Sequence, residues 1–271
     1  MKAGLLQFTS TDDPTSNLTA TRAMMRDAAG QGAEFILTPE VTNCVSVSRR
    51  WQQSVLCLEA NDPTLAGLRA EAAALGVWLS IGSLALKTDD PDGRFANRSF
   101  VINPAGDIVA RYDKIHMFDV EVSEKETYRE SAGYRPGAWA VTAQTPFGQL
   151  GLSICYDLRF AYLFRALAQA GADILLVPSA FSPVTGAAHW QPLLQARAIE
   201  TGCYVLAAAQ TGDHGGRETY GHSMAVSPWG EVLLDAGTTK SVSIVDINPH
   251  AVSDARKRIA ALSHDRTFEG P

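Results

Sequence analysis

The stretch Gly151-Leu152-Ser153-Ile154-Cys155-Tyr156-Asp157-Leu158-Arg159-Phe160 joins an apolar strand to a helix. The strand ends at Cys155, and Asp157 is placed to act as the N-cap of a helix that continues to Ala170. A cysteine at such a junction lies near the positive end of a helix dipole, which favours the thiolate over the thiol. Cys155 is therefore a candidate nucleophile, and a small buried structural cysteine is the alternative.

The composition excludes several classes of protein. Of the 271 residues, 46% are hydrophobic and 19% are charged, as expected for a globular chain with a substantial buried core. The net charge of −6 and the lack of an extended basic run disfavour a nucleic-acid partner or an anionic membrane surface. The sequence also has the pattern of neither a signal peptide nor a membrane span.

The cysteines indicate the compartment. They are far apart and have no Cys-x-x-Cys spacing, so neither a disulfide framework nor a zinc site is expected. A reduced cytoplasmic setting fits them better. The four positions are Cys44, Cys57, Cys155 and Cys203.

Strands and helices alternate along the whole chain without a linker, which predicts a single domain over residues 1–271. The predicted helices cover 17–29, 63–75, 158–170, 188–201 and 249–261. The predicted strands cover 34–37, 77–84, 174–177, 204–208, 223–226 and 242–247, with a hairpin at 100–110.

An internal echo indicates how these elements are arranged. Residues 32–40 resemble residues 171–179, and residues 103–109 resemble residues 227–233. Each half therefore has a helix leading into a buried strand that ends at a proline, and later a hairpin. Packing two such αβ halves sheet against sheet predicts a four-layer α-β-β-α sandwich. A single doubly wound sheet is the alternative, but it leaves the hairpins unexplained.

Three further residues could form a catalytic site together with Cys155. Glu40 follows an apolar strand, Lys114 follows a hairpin strand and Glu130 lies in a polar stretch. Taken alone, each would be interpreted as an ordinary surface residue or a helix cap. A cysteine attacking an amide needs a base that later acts as an acid, and a carboxylate suits both tasks if burial raises its pKa. An ammonium group and the N–H of Tyr156 can stabilise the oxyanion, and a second carboxylate can hold the ammonium.

Three segments resemble the signature blocks of the nitrilase (carbon–nitrogen hydrolase) superfamily, in its order and near its spacing: Leu37–Glu40, Tyr112–His116 and Ser153–Phe160. The resemblance covers essentially the whole chain. It implies the α-β-β-α sandwich, a homodimer, and cysteine hydrolase chemistry with no metal or other cofactor. It also implies Glu40 as general base, Lys114 as catalytic lysine, Cys155 as nucleophile and Glu130 as an additional structural or catalytic glutamate.

Other segments are similar to the Nit branch, which hydrolyses amides of small dicarboxylates: 114–121, 179–190, 207–212 and 220–224. Within that branch, residues 195–200 and 207–212 resemble deaminated glutathione amidases more than ω-amidases. The resemblance implies hydrolysis of deaminated glutathione to 2-oxoglutarate and cysteinylglycine, with ω-amidase action or a nitrile substrate as alternatives. Ala161 departs from the family, which usually has proline there; the change should spare catalysis but relax the loop that carries Arg159.

Two residues are candidates for binding this anionic small-molecule substrate. Arg159 has a guanidinium fork that suits a carboxylate, and it lies four residues after the nucleophile. Thr185 follows the strand ending at Pro178, where it could contact the substrate or cap the next helix. A cysteine–histidine dyad using His189 or His222 is a further alternative, and a non-catalytic scaffold would predict a broken catalytic set.

Overall fold

The computed structural model describes residues 1–123 and 126–270. Its α-helices are α1 Pro14–Gly30, α2 Arg49–Val55, α3 Pro63–Leu75, α4 Ala161–Gln169, α5 Pro183–Thr201 and α6 His250–Arg258. The strands of the first half are β1 Lys2–Gln7, β2 Phe35–Leu37, β3 Trp78–Leu86, β4 Ala96–Ile102, β5 Ile108–Asp113, β6 Asp119–Ser123 and β7 Glu126–Arg129. Those of the second half are β8 Thr142–Thr145, β9 Gly148–Leu152, β10 Ile174–Leu176, β11 Tyr204–Ala207, β12 Thr211–Asp213, β13 Glu218–Tyr220, β14 Met224–Val226, β15 Val232–Asp235 and β16 Ser241–Asp246.

Two six-stranded sheets of matching design form the centre of the fold. The first has the strand order β16-β1-β2-β3-β4-β5, and the second has the order β15-β14-β11-β10-β9-β8. In each sheet three parallel strands (β1, β2 and β3, or β9, β10 and β11) are followed by an antiparallel hairpin. The C-terminal strand β16 completes the first sheet by pairing antiparallel with β1, so the two halves of the chain are interlocked.

The alternation of side chains along the strands separates the layers. On β2, Phe35 and Leu37 point into the core cluster that contains strands of both sheets, whereas Ile36 points into a second cluster with helices α1 and α3. Helices α4 and α5 pack on the second sheet. The predicted four-layer α-β-β-α sandwich is therefore confirmed, and the internal echo corresponds to β2 with β10 and to the two hairpins.

Local sequence explains the helix ends that were predicted well. Helix α3 occupies the predicted residues 63–75, because the Asp62 side chain accepts a hydrogen bond from the N–H of Leu65 and Pro63 fits the first helical turn. Gly76 ends it in the left-handed conformation, with φ of 65°. Within the described residues, no helix combines the length and the apolar character needed to cross a membrane.

The helix predicted after Cys155 is present, but its predicted start and N-cap were wrong. Residues Cys155–Arg159 form a short 3₁₀ helix, and α4 begins only at Ala161. Asp157 does not cap α4, because its carboxylate is used by other partners inside the fold. Helix α5 also differs, since it begins at Pro183 rather than at residue 188 and continues through Pro192.

A bulge in β3 brings the two halves of the chain together. The β3–β4 register shifts between Ile81 and Leu84, and Gly82 lies in this irregularity. A Cβ atom on Gly82 would lie 2.5 Å from the carbonyl oxygen of Pro39 and 2.6 Å from the Cβ atom of Pro178. These prolines follow β2 and β10, so Gly82 allows the close approach of the two strand ends that carry the candidate site.

Gly82→Ala should therefore destabilise the protein strongly. Backbone oxygens cannot yield to the added methyl group as a flexible side chain can, so we expect a loss of about 3 kcal/mol or more in the free energy of unfolding. Chemical denaturation monitored by circular dichroism measures it. The matched control is Gly30→Ala at the end of α1, where a Cβ atom meets nothing within 4 Å. A Gly82→Ala protein as stable as this control would contradict the prediction.

Candidate active site

The predicted catalytic residues meet at one edge of the two sheets. Glu40 follows the end of β2, Lys114 follows β5 directly, and Cys155 follows β9. The backbone N–H of Ala180, after β10, donates to Glu40 Oε2 at 2.8 Å. This bond links the second half of the chain to the carboxylate of the first.

Lys114 holds the cluster together. Its Nζ lies 2.9 Å from Glu40 Oε1 and 2.9 Å from each carboxylate oxygen of Glu130. The Lys114 side chain is 2% exposed and that of Glu40 is 6% exposed. The Cys155 thiol lies beside the Glu40 carboxylate, close enough for each group to shift the pKa of the other. All four predicted residues therefore lie in one constellation, although the local sequence around each acid, taken by itself, is that of an ordinary exposed residue.

Cys155 itself and Val41, the residue after Glu40, are backbone outliers. Val41 has φ of 47° and Cys155 has φ of 50°, a region that L-residues rarely adopt and that costs on the order of 1–3 kcal/mol. The N–H of Cys155 donates to the carbonyl oxygen of Pro178 at 2.9 Å, which fixes the turn. The N–H of Tyr156, in the first turn of the 3₁₀ helix, is of the kind that lacks an intrahelical acceptor. It is therefore suited to an oxyanion.

Lys114 is charged, as expected from sequence, whereas the pKa shifts of Cys155 and Glu40 are opposite to those expected. Burial, with a contribution from Glu40, raises the pKa of the Cys155 thiol, so the expected dipole-stabilised thiolate is wrong. The pKa of Glu40 is lowered, because the effects of Lys114, Cys155 and Asn97 outweigh burial. The pKa of Lys114 is raised well above its usual value because its two carboxylates outweigh burial.

These shifts define the resting chemistry of the cluster. A neutral thiol lies beside an ionised carboxylate, and the ammonium beside them stays charged at neutral pH. The arrangement suits proton transfer from Cys155 to Glu40 as the sulfur attacks, rather than a preformed thiolate.

Asn97 was missed by sequence analysis. Its Nδ2 donates to Glu40 Oε1 at 2.9 Å and lies 3.5 Å from Glu130 Oε1. It is a buried residue of β4, and nothing in the local pattern separates it from the other polar positions of that strand. Only the three-dimensional fold reveals that it joins the two carboxylates.

Asp157 was assigned the wrong role. Its buried carboxylate accepts hydrogen bonds from the hydroxyl of Tyr112 at 2.6 Å and from the N–H of Ile154 at 2.8 Å. It also accepts from the N–H of His116 at 3.0 Å and lies 2.6 Å from His116 Nδ1. Asp157 thus ties the turn that carries Cys155 to the segment that carries Lys114, which makes it a positioning residue.

A cavity of about 230 Å³ opens beside the cluster. Tyr156 and Thr185 line it, as predicted for residues near a substrate. The buried hydroxyl of Ser182, which also lines it, has no hydrogen-bond partner in the described part of the chain. Further lining residues include Phe118, Tyr128, Arg129, Phe181 and Arg217.

Arg159 is not among the residues that line this cavity. Its guanidinium carbon lies 5.8 Å from the ring centre of Tyr156 and 5.9 Å from that of Phe181, which both line the cavity. Nη2 of Arg159 is 3.2 Å from Nδ1 of His189. Arg159 therefore lies next to two rings of the cavity wall, and its role in binding a carboxylate stays a prediction.

The two histidines of the alternative dyad have other partners. His189 is exposed on α5 beside Arg159, and Nδ1 of His222 lies 2.9 Å from Oδ1 of Asp235. Neither histidine lines the cavity. Across residues 1–123 and 126–270, no group of three or more His, Cys, Asp or Glu side chains is arranged to hold a metal ion.

Comparisons with known proteins agree with this fold. A family model described as carbon–nitrogen hydrolase matches residues 2–257. The deaminated glutathione amidase of Synechocystis sp. is 40% identical over 97% of this chain and 97% of that protein. The C. elegans NitFhit structure has a TM-score of 0.90 at 35% identity, covering 98% of this chain and 65% of that one.

A third comparison concerns a solved amidase with a modified cysteine. A variant of the amidase from Nesterenkonia sp. AN1 has a TM-score of 0.79 at 27% identity, covering 96% of this chain and 98% of that one. It carries the result of Michael addition of acrylamide at its active-site cysteine. Together the relatives confirm the family resemblance read from the three sequence segments.

Glu130→Gln should move the alkaline limb of the pH profile of kcat/KM towards neutrality. Glu130 makes the largest of the interactions that raise the Lys114 pKa, and burial opposes them. Without its charge the Lys114 pKa falls, so the ammonium is lost at lower pH. We expect kcat/KM at pH 7 to fall about tenfold to a thousandfold.

Amide hydrolysis measured from pH 5 to 10 checks this expectation. Glu130→Asp is the control, because it keeps the negative charge and should retain more of the alkaline activity. An alkaline limb that stays in place in Glu130→Gln would mean that Glu130 does not set the charge of Lys114.

Asp157→Asn should lower both stability and kcat. The asparagine side chain would place its NH₂ group against groups that donate hydrogen bonds to Asp157. We therefore expect a loss of about 2–4 kcal/mol in the free energy of unfolding. Tyr112→Phe removes one of these bonds and should cost only about 1–2 kcal/mol. Denaturant titration compares the two variants. Equal stability of Asp157→Asn and the wild type would refute the positioning role.

Proposed function

We propose that this chain, which belongs to the carbon–nitrogen hydrolase family and is an amidase, acts on deaminated glutathione. The observation that carries the proposal is the Cys155 thiol beside the Glu40 carboxylate, with Lys114 held between Glu40 and Glu130 next to a cavity. The name of the Synechocystis relative, 40% identical over nearly the full length, supports the choice of substrate.

In the acylation half of the reaction, Cys155 is the nucleophile and Glu40 is the general base. Glu40 takes the thiol proton as the sulfur attacks the amide carbonyl carbon, and a tetrahedral oxyanion forms. Lys114 and the N–H of Tyr156 stabilise that oxyanion. Glu40 then gives its proton to the amide nitrogen, the C–N bond breaks, and cysteinylglycine leaves an acyl thioester on Cys155.

Water completes the cycle. Glu40 accepts a proton from water as the oxygen attacks the thioester, and the same two donors stabilise the second oxyanion. The C–S bond breaks, the sulfur takes the proton back from Glu40, and 2-oxoglutarate is released. Glu130 keeps Lys114 charged throughout, while Thr185 contacts the substrate and Arg159 binds its α-keto acid carboxylate.

The wider setting is also a proposal. Residues 1–271 act as one domain, supported by the contacts between the halves at Glu40 and Ala180 and by the pairing of β1 with β16. The enzyme works in the cytoplasm without metal or cofactor. It is a homodimer, which the exposure of three apolar side chains on α4 and α5 supports. These are Tyr162 (66% exposed), Val184 (57%) and Ile199 (57%).

The decisive experiment compares three substrates on the purified enzyme: deaminated glutathione, 2-oxoglutaramate and a simple nitrile. We expect release of cysteinylglycine from the first at the highest kcat/KM. Cys155→Ala should lower this activity at least about a thousandfold, because the thioester can no longer form. Cys44→Ala is the matched control, since Cys44 is also a buried cysteine that lines the cavity but has no part in the proposed chemistry.

Each possible result has a distinct meaning. Faster ammonia release from 2-oxoglutaramate would replace the proposed substrate with that of an ω-amidase. Equal turnover by Cys155→Ala would remove the covalent mechanism. Activity that survives Glu40→Gln but not His189→Ala or His222→Ala would favour the cysteine–histidine dyad.

A further inference from the structure

A row of aromatic rings links Arg159 and Arg217. The Arg217 guanidinium carbon lies 5.6 Å from the ring centre of Tyr128, and Phe118 follows, 4.9 Å from Tyr128 and 5.0 Å from Tyr156. Arg159 lies 5.8 Å from the Tyr156 ring at the other end. The three rings and Arg217 line the cavity. The row therefore has a guanidinium at each end.

Among the described residues that line the cavity, Arg217 is the cation without an acidic partner. Lys114 is held by two carboxylates, and Arg129 is paired with Glu121 at 2.8 Å. Arg217 forms no ion pair with an acid in the part of the chain that the structure describes, and it is only half-buried. Burial raises the pKa of Tyr134, which also lines the cavity, and the charge of Arg217 acts against this shift.

The loop that carries Arg217 is held firmly against the fold. Arg217 lies between β12 and β13, and its carbonyl oxygen accepts from the N–H of His214 at 2.9 Å. The ring of the buried His214 forms hydrogen bonds with the carbonyl oxygen of Ser10 at 2.7 Å and with the hydroxyl of Thr219 at 2.8 Å. The backbone at Arg217 is therefore fixed before an anion binds, which lowers the entropic cost of binding.

We propose that Arg217 binds the C-terminal glycine carboxylate of the cysteinylglycine leaving group, and so favours a peptide-like amide over a primary amide. This inference rests on the proposed function. Deaminated glutathione carries one carboxylate on its keto-acid end and another on its glycine end, with the scissile amide between them. Two guanidinium groups at the two ends of an aromatic row match such a dianion, and 2-oxoglutaramate lacks the second carboxylate.

The test is kcat/KM for three substrates with wild type and Arg217→Gln. The substrates are deaminated glutathione, its C-terminal glycinamide and 2-oxoglutaramate. The variant should lose about tenfold to a hundredfold on deaminated glutathione, in line with a charge-assisted hydrogen bond, and stay within about twofold on 2-oxoglutaramate. On the glycinamide, wild type and variant should be equally slow.

The matched control is Arg258→Gln, because Arg258 also stacks on an aromatic ring, that of Trp229 at 3.8 Å, but lies outside the cavity. It should change none of the three rates. Unchanged kcat/KM of Arg217→Gln on deaminated glutathione would overturn the inference, as would an equal loss on 2-oxoglutaramate. A wild type that releases no cysteinylglycine would instead overturn the proposed function.

Discussion

The ion pairs of Lys114 with Glu40 and Glu130 are the constraint on which the rest of the site depends. Taking an ammonium group out of water costs several kcal/mol, so Lys114 can be buried only if carboxylates arrive with it. Those carboxylates come from the end of β2 and from the segment after β7, while the lysine follows β5. The need to pair one buried charge thus fixes three distant parts of the chain at a single point.

The same pairing determines how the proposed nucleophile would be activated. Burial together with Glu40 raises the pKa of the Cys155 thiol and outweighs the opposing effect of Lys114. A thiol that stays neutral at rest is protected from oxidants and stray electrophiles, which react with the thiolate. Activation then requires a carbonyl to attack, so the thiolate forms only in the presence of substrate.

The sequence was informative where local chemistry decides the structure. The αβ halves could be predicted because 32–40 and 171–179 repeat the same pattern, and α3 because Asp62, Pro63 and Gly76 mark its ends. The role of Asp157 was predicted wrongly because the sequence does not distinguish an aspartate that caps a helix from one that accepts hydrogen bonds inside the fold. Its partners Tyr112 and His116 lie about forty positions away. Asn97 could not be predicted either, because its partners also lie far from it along the chain.

Charge balance connects the two proposals about substrate binding. Glu40 and Glu130 with Lys114 leave the cluster with one excess negative charge, so it repels the dianionic substrate proposed for it. Compensation must come from cations that are not already paired. Within the described residues, Arg159 and Arg217 both lack an acidic partner and lie at the two ends of the aromatic row. Arg159 could be predicted as a substrate-binding residue from its spacing to Cys155. Arg217 could not, because only the fold of the β12–β13 loop places it at the cavity.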